Sequence, residues 1–118
     1  MLFRSLTSFL SASSQAEVEI VGLLENGQHV NGRIDRLAIT DSEIFLLDYK
    51  TDRSVPTFTS PDHSYAQQIA IYADLLQKTH PDRQIKAALL WTQTSKLEWL
   101  SKDLLTQARE QALNRVDR

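Results

Sequence analysis

GRIDRLAITDSEIFLLDYKTD, residues 32–52, predicts two strands joined by a tight turn. Its two apolar runs favour strands, and TDSE between them supplies the turn chemistry. Asp35, Asp48 and Lys50 are the exceptions, because they lie inside segments whose other residues favour burial. A buried carboxylate costs several kcal/mol unless it is paired or binds a metal. These three charges therefore mark the candidate site.

The predicted turn also sets the register of the hairpin. A turn centred on Asp41 and Ser42 places Asp35 directly opposite Asp48. Directly opposed residues share one face of the sheet, with Cβ atoms about 4.5–5.5 Å apart. Lys50 lies two residues beyond Asp48 and therefore on the same face. The hairpin thus brings two carboxylates within reach of one ion, with an ammonium group beside them.

The three charges favour metal-dependent chemistry on a phosphate. Two carboxylates this close repel each other, so one holds a proton unless a cation neutralises them. The chain has no cysteine, so a metal must bind to oxygen or histidine, and oxygen ligands favour Mg²⁺ or Mn²⁺. Such a metal beside an ammonium group favours phosphodiester hydrolysis. The spacing alone also allows a structural alternative, with Asp35 paired to a neighbouring arginine and Asp48 to Lys50 on the surface.

The rest of the chain predicts a layered domain with a mixed sheet. Strands are expected over AEVEIVGLL before the hairpin, over about residues 29–39 and 44–50 within it, and over IKAALLW after it. A helix follows the proline-containing loop, with Asp62 or Ser64 as N-cap, and ends near Pro81. KLEWL is either a fifth strand or the start of the last helix, for which Ser101 is the candidate cap. MLFRSLTSFL reads as a helix remnant. The fold class is α/β, with a mixed central sheet flanked by helices.

Composition limits the classes of function. A chain of 118 residues fits a single domain, and the absence of cysteine fits a reducing cytoplasm. No apolar stretch approaches the roughly 20 residues of a membrane span, so no membrane partner is expected. The net charge of −2 argues against a free-standing nucleic-acid binder, but not against an enzyme that meets nucleic acid at one edge.

Three motifs in order carry a resemblance to a known family. GRIDRL, LLDYKTD and YAQQIAIY resemble the motif series of the PD-(D/E)XK nuclease superfamily, in particular the RecB-like nuclease domain at the C-terminus of AddA-type helicase–nucleases. The resemblance covers about residues 17–91. It implies a restriction-endonuclease-like fold and a metal-dependent DNA exonuclease that needs Mg²⁺ or Mn²⁺ and serves double-strand-break repair and recombination.

The resemblance also implies a role for each matching residue. Asp35 and Asp48 would bind the metal together with the backbone carbonyl of Tyr49, and Lys50 would be the catalytic lysine. Gln68 and Tyr72 match the helix motif that positions the lysine and the substrate phosphates. An upstream glutamate matches Glu17 best, with Glu19 as the alternative.

One family feature has no counterpart in this sequence. The family usually carries a histidine on a helix before the first strand, and residues 1–15 contain none. We therefore expect a single nuclease domain, residues 1–118, that is a C-terminal fragment of a longer ATP-binding helicase–nuclease and is inactive or weakly active alone. The expected partners are DNA, the rest of the helicase chain and a partner subunit of the complex. The alternatives are a non-catalytic nucleic-acid-binding or scaffold domain with a degenerate nuclease fold, and another hydrolase of the same superfamily.

Overall fold

The computed structural model describes residues 14–115, and the helix remnant predicted for residues 1–10 lies outside them. The order of elements follows the predicted one, and KLEWL forms a strand rather than the start of a helix. The elements are β1 (Ser14–Leu23), β2 (His29–Ile39), β3 (Glu43–Lys50), α1 (Ser64–Thr79), β4 (Gln84–Trp91), β5 (Lys96–Leu100) and α2 (Lys102–Arg115).

The strands form one mixed sheet in the order β1-β2-β3-β4-β5. The first three strands are an antiparallel meander, β3 and β4 are parallel, and β5 returns antiparallel to β4. Parallel neighbours need a long crossover, and α1 with its preceding loop provides it. The predicted α/β fold with a mixed central sheet is therefore confirmed.

The two described helices pack on each other, and α1 packs on the sheet. Small side chains line the contact between the helices, because Ala66 and Ala70 of α1 meet Ala108 of α2 in one buried cluster. The larger core lies between α1 and the sheet, where Ile69 and Leu76 join apolar residues of β2, β3 and β4. This packing fixes the start of α1 over the end of β3, where Lys50 lies.

Two helix boundaries follow local hydrogen bonds. Ser101 caps α2, as predicted, because its hydroxyl accepts the N–H of Leu104 at 3.1 Å. The cap of α1 is His63 rather than Asp62 or Ser64, since its Nδ1 accepts the N–H of Tyr65 at 3.1 Å. Within residues 14–115, no helix is long and apolar enough to cross a membrane.

β2 changes face at Asp35–Arg36. Ile34 and Leu37 are three residues apart, and strict alternation would put them on opposite faces of the sheet. Both are buried in the core that α1 covers, so the alternation of side chains between the two faces of the sheet must be interrupted between them. The recorded ladder between β2 and β3 ends at the same place, at the pair Arg36–Leu47.

A glycine lets α1 approach β2 closely, and its replacement should destabilise the fold. A Cβ at Gly32 would overlap the phenol oxygen of Tyr72 and lie 2.8 Å from its Cζ. We expect Gly32→Ala to lower the free energy of unfolding by about 1–3 kcal/mol, because overpacking forces backbone or side-chain shifts. Urea denaturation of the variant and the parent measures this difference in the free energy of unfolding. Gly22→Ala is the matched control and should cost less, because the atoms it meets belong to the flexible end of Leu75. Equal costs at the two glycines would contradict this account.

Candidate functional site

The candidate site forms where the β2–β3 ladder ends. The predicted register is confirmed, since the pairs run from Ile39–Ile44 to Arg36–Leu47. One step further, Asp35 and Asp48 face each other and their carboxyl groups share a hydrogen bond. The backbone N–H of Tyr49 donates to Oδ2 of Asp35 at 2.8 Å. The face change of β2 thus puts a carboxylate where the ladder would otherwise continue.

Burial and mutual contact separate the pKa values of the two aspartates. Burial, followed by the hydrogen bond with Asp35, raises the pKa of Asp48 to about 6 against the opposing effect of Lys50. Burial also acts to raise the pKa of Asp35, but the hydrogen bonds from Asp48 and the Tyr49 backbone and the charges of Lys50 and Arg33 outweigh it, so that pKa is lowered. Below about pH 6 the pair therefore keeps one proton on Asp48.

Lys50 is held beside this pair from two sides. Its Nζ lies 2.8 Å from Oδ2 of Asp48, and the two side chains are only 14% and 13% exposed. The ring of Tyr65, from the first turn of α1, lies under the ammonium group, with 4.0 Å from Nζ to the ring centroid. The Tyr65 hydroxyl donates to the Asp52 carboxylate at 2.9 and 3.0 Å, which raises the pKa of the phenol. The ammonium therefore has little freedom to leave the site.

The oxygen atoms around Asp35 and Asp48 fit a hard divalent cation. The carbonyl of Lys50 accepts the N–H of Thr92 on the β4 side at 2.9 Å. Successive carbonyls of a strand point in opposite directions, so the carbonyl of Tyr49 points towards β2, as its own N–H does. Two carboxylates and this carbonyl make an all-oxygen set of the kind that suits Mg²⁺ or Mn²⁺. Within residues 14–115, no cluster of three or more acidic, histidine or cysteine side chains adds to it.

The upstream glutamate is level with the site but turned away from it. Glu17 lies between the pairs Ala16–Arg36 and Val18–Ile34, and so opposite Asp35. Its carboxylate forms an ion pair with Arg33 at 3.2 Å and is 70% exposed. The backbone of Glu17 has a φ of 54°, an uncommon conformation for a residue with a side chain. Glu19, the alternative, is exposed and pairs with Arg33 across the ladder.

The helix motif is divided between the core and the surface. Tyr72 is buried and packs over Gly32, whereas Gln68, one turn earlier, is exposed. The adjacent Gln67 is the buried glutamine, and its Nε2 has no hydrogen-bond partner within the described part of the chain. Tyr65, in the first turn of the same helix, contacts Lys50.

Sequence reasoning did not assign Tyr65 and Asp52 to the site. Tyr65 begins the helix motif YAQQIAIY, at helical spacing from the apolar residues of that segment. Asp52 lies two residues beyond Lys50 in the motif LLDYKTD. The position of each residue inside a family motif was the signal that could have found it. The hydrogen bond between Tyr65 and Asp52, however, joins a helix to a loop and depends on the packing of α1.

Comparison with known proteins supports the motif resemblance at the level of the superfamily. A search of curated protein sequences finds no match. Among solved structures, the one described as "Crystal structure of SSO0001" is similar, with a TM-score of 0.52 at 15% identity, over 97% of this chain and 56% of that one. This likeness concerns the fold alone, and the chain spans about half the length of that protein. The family model of the PD-(D/E)XK nuclease superfamily matches residues 2–117, and the chain therefore belongs to that superfamily.

Proposed function

We propose that the chain hydrolyses phosphodiester bonds of DNA with a divalent cation, Mg²⁺ or Mn²⁺, held by Asp35, Asp48 and the carbonyl of Tyr49. One observation carries the proposal. Two carboxyl groups share a hydrogen bond at the end of a ladder, and the pKa of one is raised to about 6, with a lysine ammonium 2.8 Å away. A divalent cation in place of the shared proton would relieve the repulsion between the two carboxylates.

Each residue of the site has a defined role in this reaction. A divalent cation held by Asp35, Asp48 and the carbonyl of Tyr49 would supply Lewis acidity and activate the attacking water. Lys50 donates hydrogen bonds to a phosphoryl oxygen as negative charge develops there. Asp48 and the Tyr65 ring keep the ammonium in place before the substrate arrives, so that little reorganisation is needed. Gln68 and Tyr72, on α1, are proposed to support the substrate and the lysine.

Cleavage of labelled DNA tests the proposal. We expect single-stranded and duplex oligonucleotides to be shortened in Mg²⁺ or Mn²⁺ and to stay intact in a chelator. The assay should use both this chain and the natural protein that carries it, because a part of the site supplied by neighbouring sequence would raise the activity of the longer protein. Intact DNA with both proteins in both metals would overturn the proposal.

Metal titration separates a nuclease from the non-catalytic scaffold alternative. We expect Mn²⁺ to bind the chain in calorimetry and binding to disappear in the Asp35→Asn, Asp48→Asn double variant, because the two carboxylates supply the ligand charge. Glu17→Gln is the matched acidic control and should change the affinity little, since that carboxylate is exposed and paired with Arg33. Binding that survives in the double variant would place the metal elsewhere.

We further propose, from the motif resemblance alone, that the domain is the exonuclease of a cytoplasmic AddA-type helicase–nuclease for double-strand-break repair. The remainder of the helicase chain and a partner subunit would then complete the enzyme. The test is ATP-dependent degradation of DNA ends by the natural full-length protein. Degradation of ends that is independent of ATP, by a protein without ATPase activity, would contradict this context and leave the nuclease proposal in place.

A further inference from the structure

The loop between β3 and α1, residues 51–63, starts and ends at the candidate site. It begins directly after Lys50, the last residue of β3, and ends directly before Ser64, the first residue of α1. The hydrogen bonds from the Tyr65 hydroxyl to Asp52 tie the two ends of the loop together. Exposed side chains in the middle of this loop therefore lie near the candidate site.

The middle of the loop is fixed to β5 by charged side chains. The Glu98 carboxylate accepts the N–H and the hydroxyl of Thr59 at 2.7 and 2.9 Å, and Thr59 is 1% exposed. The Trp91 indole N–H donates to the same carboxylate at 3.1 Å. On the other side of Phe58, Lys96 Nζ donates to the carbonyls of residues 56 and 57 at 3.2 and 3.0 Å. Hydrogen bonds to charged groups are the stronger kind, so these contacts hold the loop in a defined position.

The hydrogen bonds from Glu98 and Lys96 to the loop are called the clamp below. Strand register gives the distance from Glu98 of this clamp to the site. Asp48 pairs with Leu89 of β4, and Leu89 pairs with Glu98 of β5. Paired residues share a face, and neighbouring strands are about 4.8 Å apart, so Asp48 and Glu98 lie on one face at about 10 Å. Nucleotides are about 3.4 Å apart in a stacked strand and further apart in an extended one, so this distance spans at most about three nucleotides.

Phe58 is the residue that this clamp presents to solvent. Its side chain is 74% exposed, although the backbone on both sides is held by Glu98 and Lys96. An exposed aromatic residue on a fixed loop suits a flat apolar partner, because stacking needs a rigid surface and loses little entropy. With a net charge of −2, the chain gains little from phosphate contacts, so a neutral stacking contact would add affinity that salt does not screen.

We infer that Phe58 stacks on an unpaired base of a single-stranded nucleic acid, within about three nucleotides of the phosphate held at Asp35, Asp48 and Lys50. The inference rests on the proposed function for the position of that phosphate. It names the substrate class of the site as single-stranded nucleic acid or a single-stranded end, because a base inside a duplex has no free face.

Binding of single-stranded DNA to an inactive background tests the inference. In Asp48→Asn protein, fluorescence anisotropy should show that Phe58→Ala weakens binding of a labelled oligonucleotide about 5- to 150-fold, as expected for one lost base–aromatic stack. Phe58→Tyr should restore the affinity, because it keeps the ring. Val21→Ala is the matched control, since Val21 is 73% exposed on β1 and its loss should change nothing.

An oligonucleotide whose internal positions are abasic makes the test specific for stacking. On this probe, the Phe58→Ala and parent proteins should bind equally, because no base remains to stack. An equal loss on normal and abasic probes would overturn the inference, as would unchanged binding of the normal probe. Concentration-dependent self-association that Phe58→Ala abolishes would also overturn it, because a second copy would then occupy the ring. A chain that binds through Phe58 but never cleaves in metal would overturn the proposed function and leave the stacking in place.

Discussion

Asp48→Asn is expected to lower the rate of metal-dependent DNA cleavage by about 10³-fold or more, and Lys50→Ala by about 10²- to 10³-fold. Asp48 supplies a proposed metal ligand, and its charge cannot be replaced by the exposed, Arg33-paired Glu17. Lys50 supplies a preorganised positive charge, held by Asp48 and Tyr65, at the position where charge develops on the phosphate. The measurement is the initial rate of cleavage of a labelled oligonucleotide at saturating Mg²⁺ or Mn²⁺.

Matched substitutions elsewhere show whether these losses are specific. Asp41→Asn removes an exposed carboxylate at the far end of the same hairpin, and Lys86→Ala removes a half-exposed lysine of β4 paired with Glu43. Both controls should cleave at the parental rate. A Lys50→Ala protein that is folded and as active as Lys86→Ala would contradict the role proposed for the lysine.

The same Asp48→Asn substitution is expected to stabilise the metal-free protein by about 3 kcal/mol at pH 7. The pKa of Asp48 is raised from 3.8 to about 6 in the folded state. One pKa unit corresponds to about 1.36 kcal/mol, so ionising this carboxyl in the fold costs about 3 kcal/mol more than in the unfolded chain. Asn is neutral at every pH and can still donate a hydrogen bond to Asp35, so it avoids this cost.

The sign of the pH dependence follows from proton binding. Between about pH 4 and pH 6 the folded protein binds more protons at Asp48 than the unfolded chain does, so the free energy of unfolding falls as pH rises through this range. The parent and the Asp48→Asn variant should therefore be equally stable near pH 4 and diverge towards pH 7. Urea denaturation in chelator at a series of pH values measures the divergence.

Metal should reverse the order of stability. At pH 7 and a concentration about 1,000 times its dissociation constant, Mn²⁺ should stabilise the parent by about 4.1 kcal/mol, which exceeds the advantage of the variant, and leave the variant unchanged. Asp41→Asn is again the control, since it should follow the parent at every pH. A parent protein equally stable at pH 4 and pH 7, with an Asn variant that gains nothing, would contradict the raised pKa on which this prediction rests.

The local elements were predictable because their signals lie within a few residues of each other. Apolar alternation predicted β1, the continuous apolar runs predicted β3 and β4, and proline marked the loop and the end of α1. The two-residue turn at Asp41–Ser42 fixed the hairpin register, and with it the meeting of Asp35 and Asp48. Three short motifs in order then indicated the superfamily that the family model shows.

Other features depended on residues far apart in the sequence. The hydrogen bond from Tyr49 to Asp35 spans 14 positions and that from Thr59 to Glu98 spans 39. Local pattern carries no information about such contacts, because the first depends on the face change of β2 and the second forms only when the loop before α1 packs against β5. The burial of Gln67 rather than Gln68 likewise depends on how α1 packs. The cap of α1 at His63 is a local hydrogen bond to Tyr65, but propensity favours Asp62 or Ser64, because Asp and Ser are common N-caps and histidine is not.

The sequence by itself determined which charged residues this protein brings together, because a hairpin register is a local property of its turn. The tertiary structure alone decided how those charges are held. The face change of β2 at Asp35–Arg36, the Tyr65 ring under Lys50 and the fixed exposure of Phe58 each result from packing between distant elements. Packing sets burial, and burial sets the pKa of Asp48 and the freedom of the lysine on which the proposed chemistry depends.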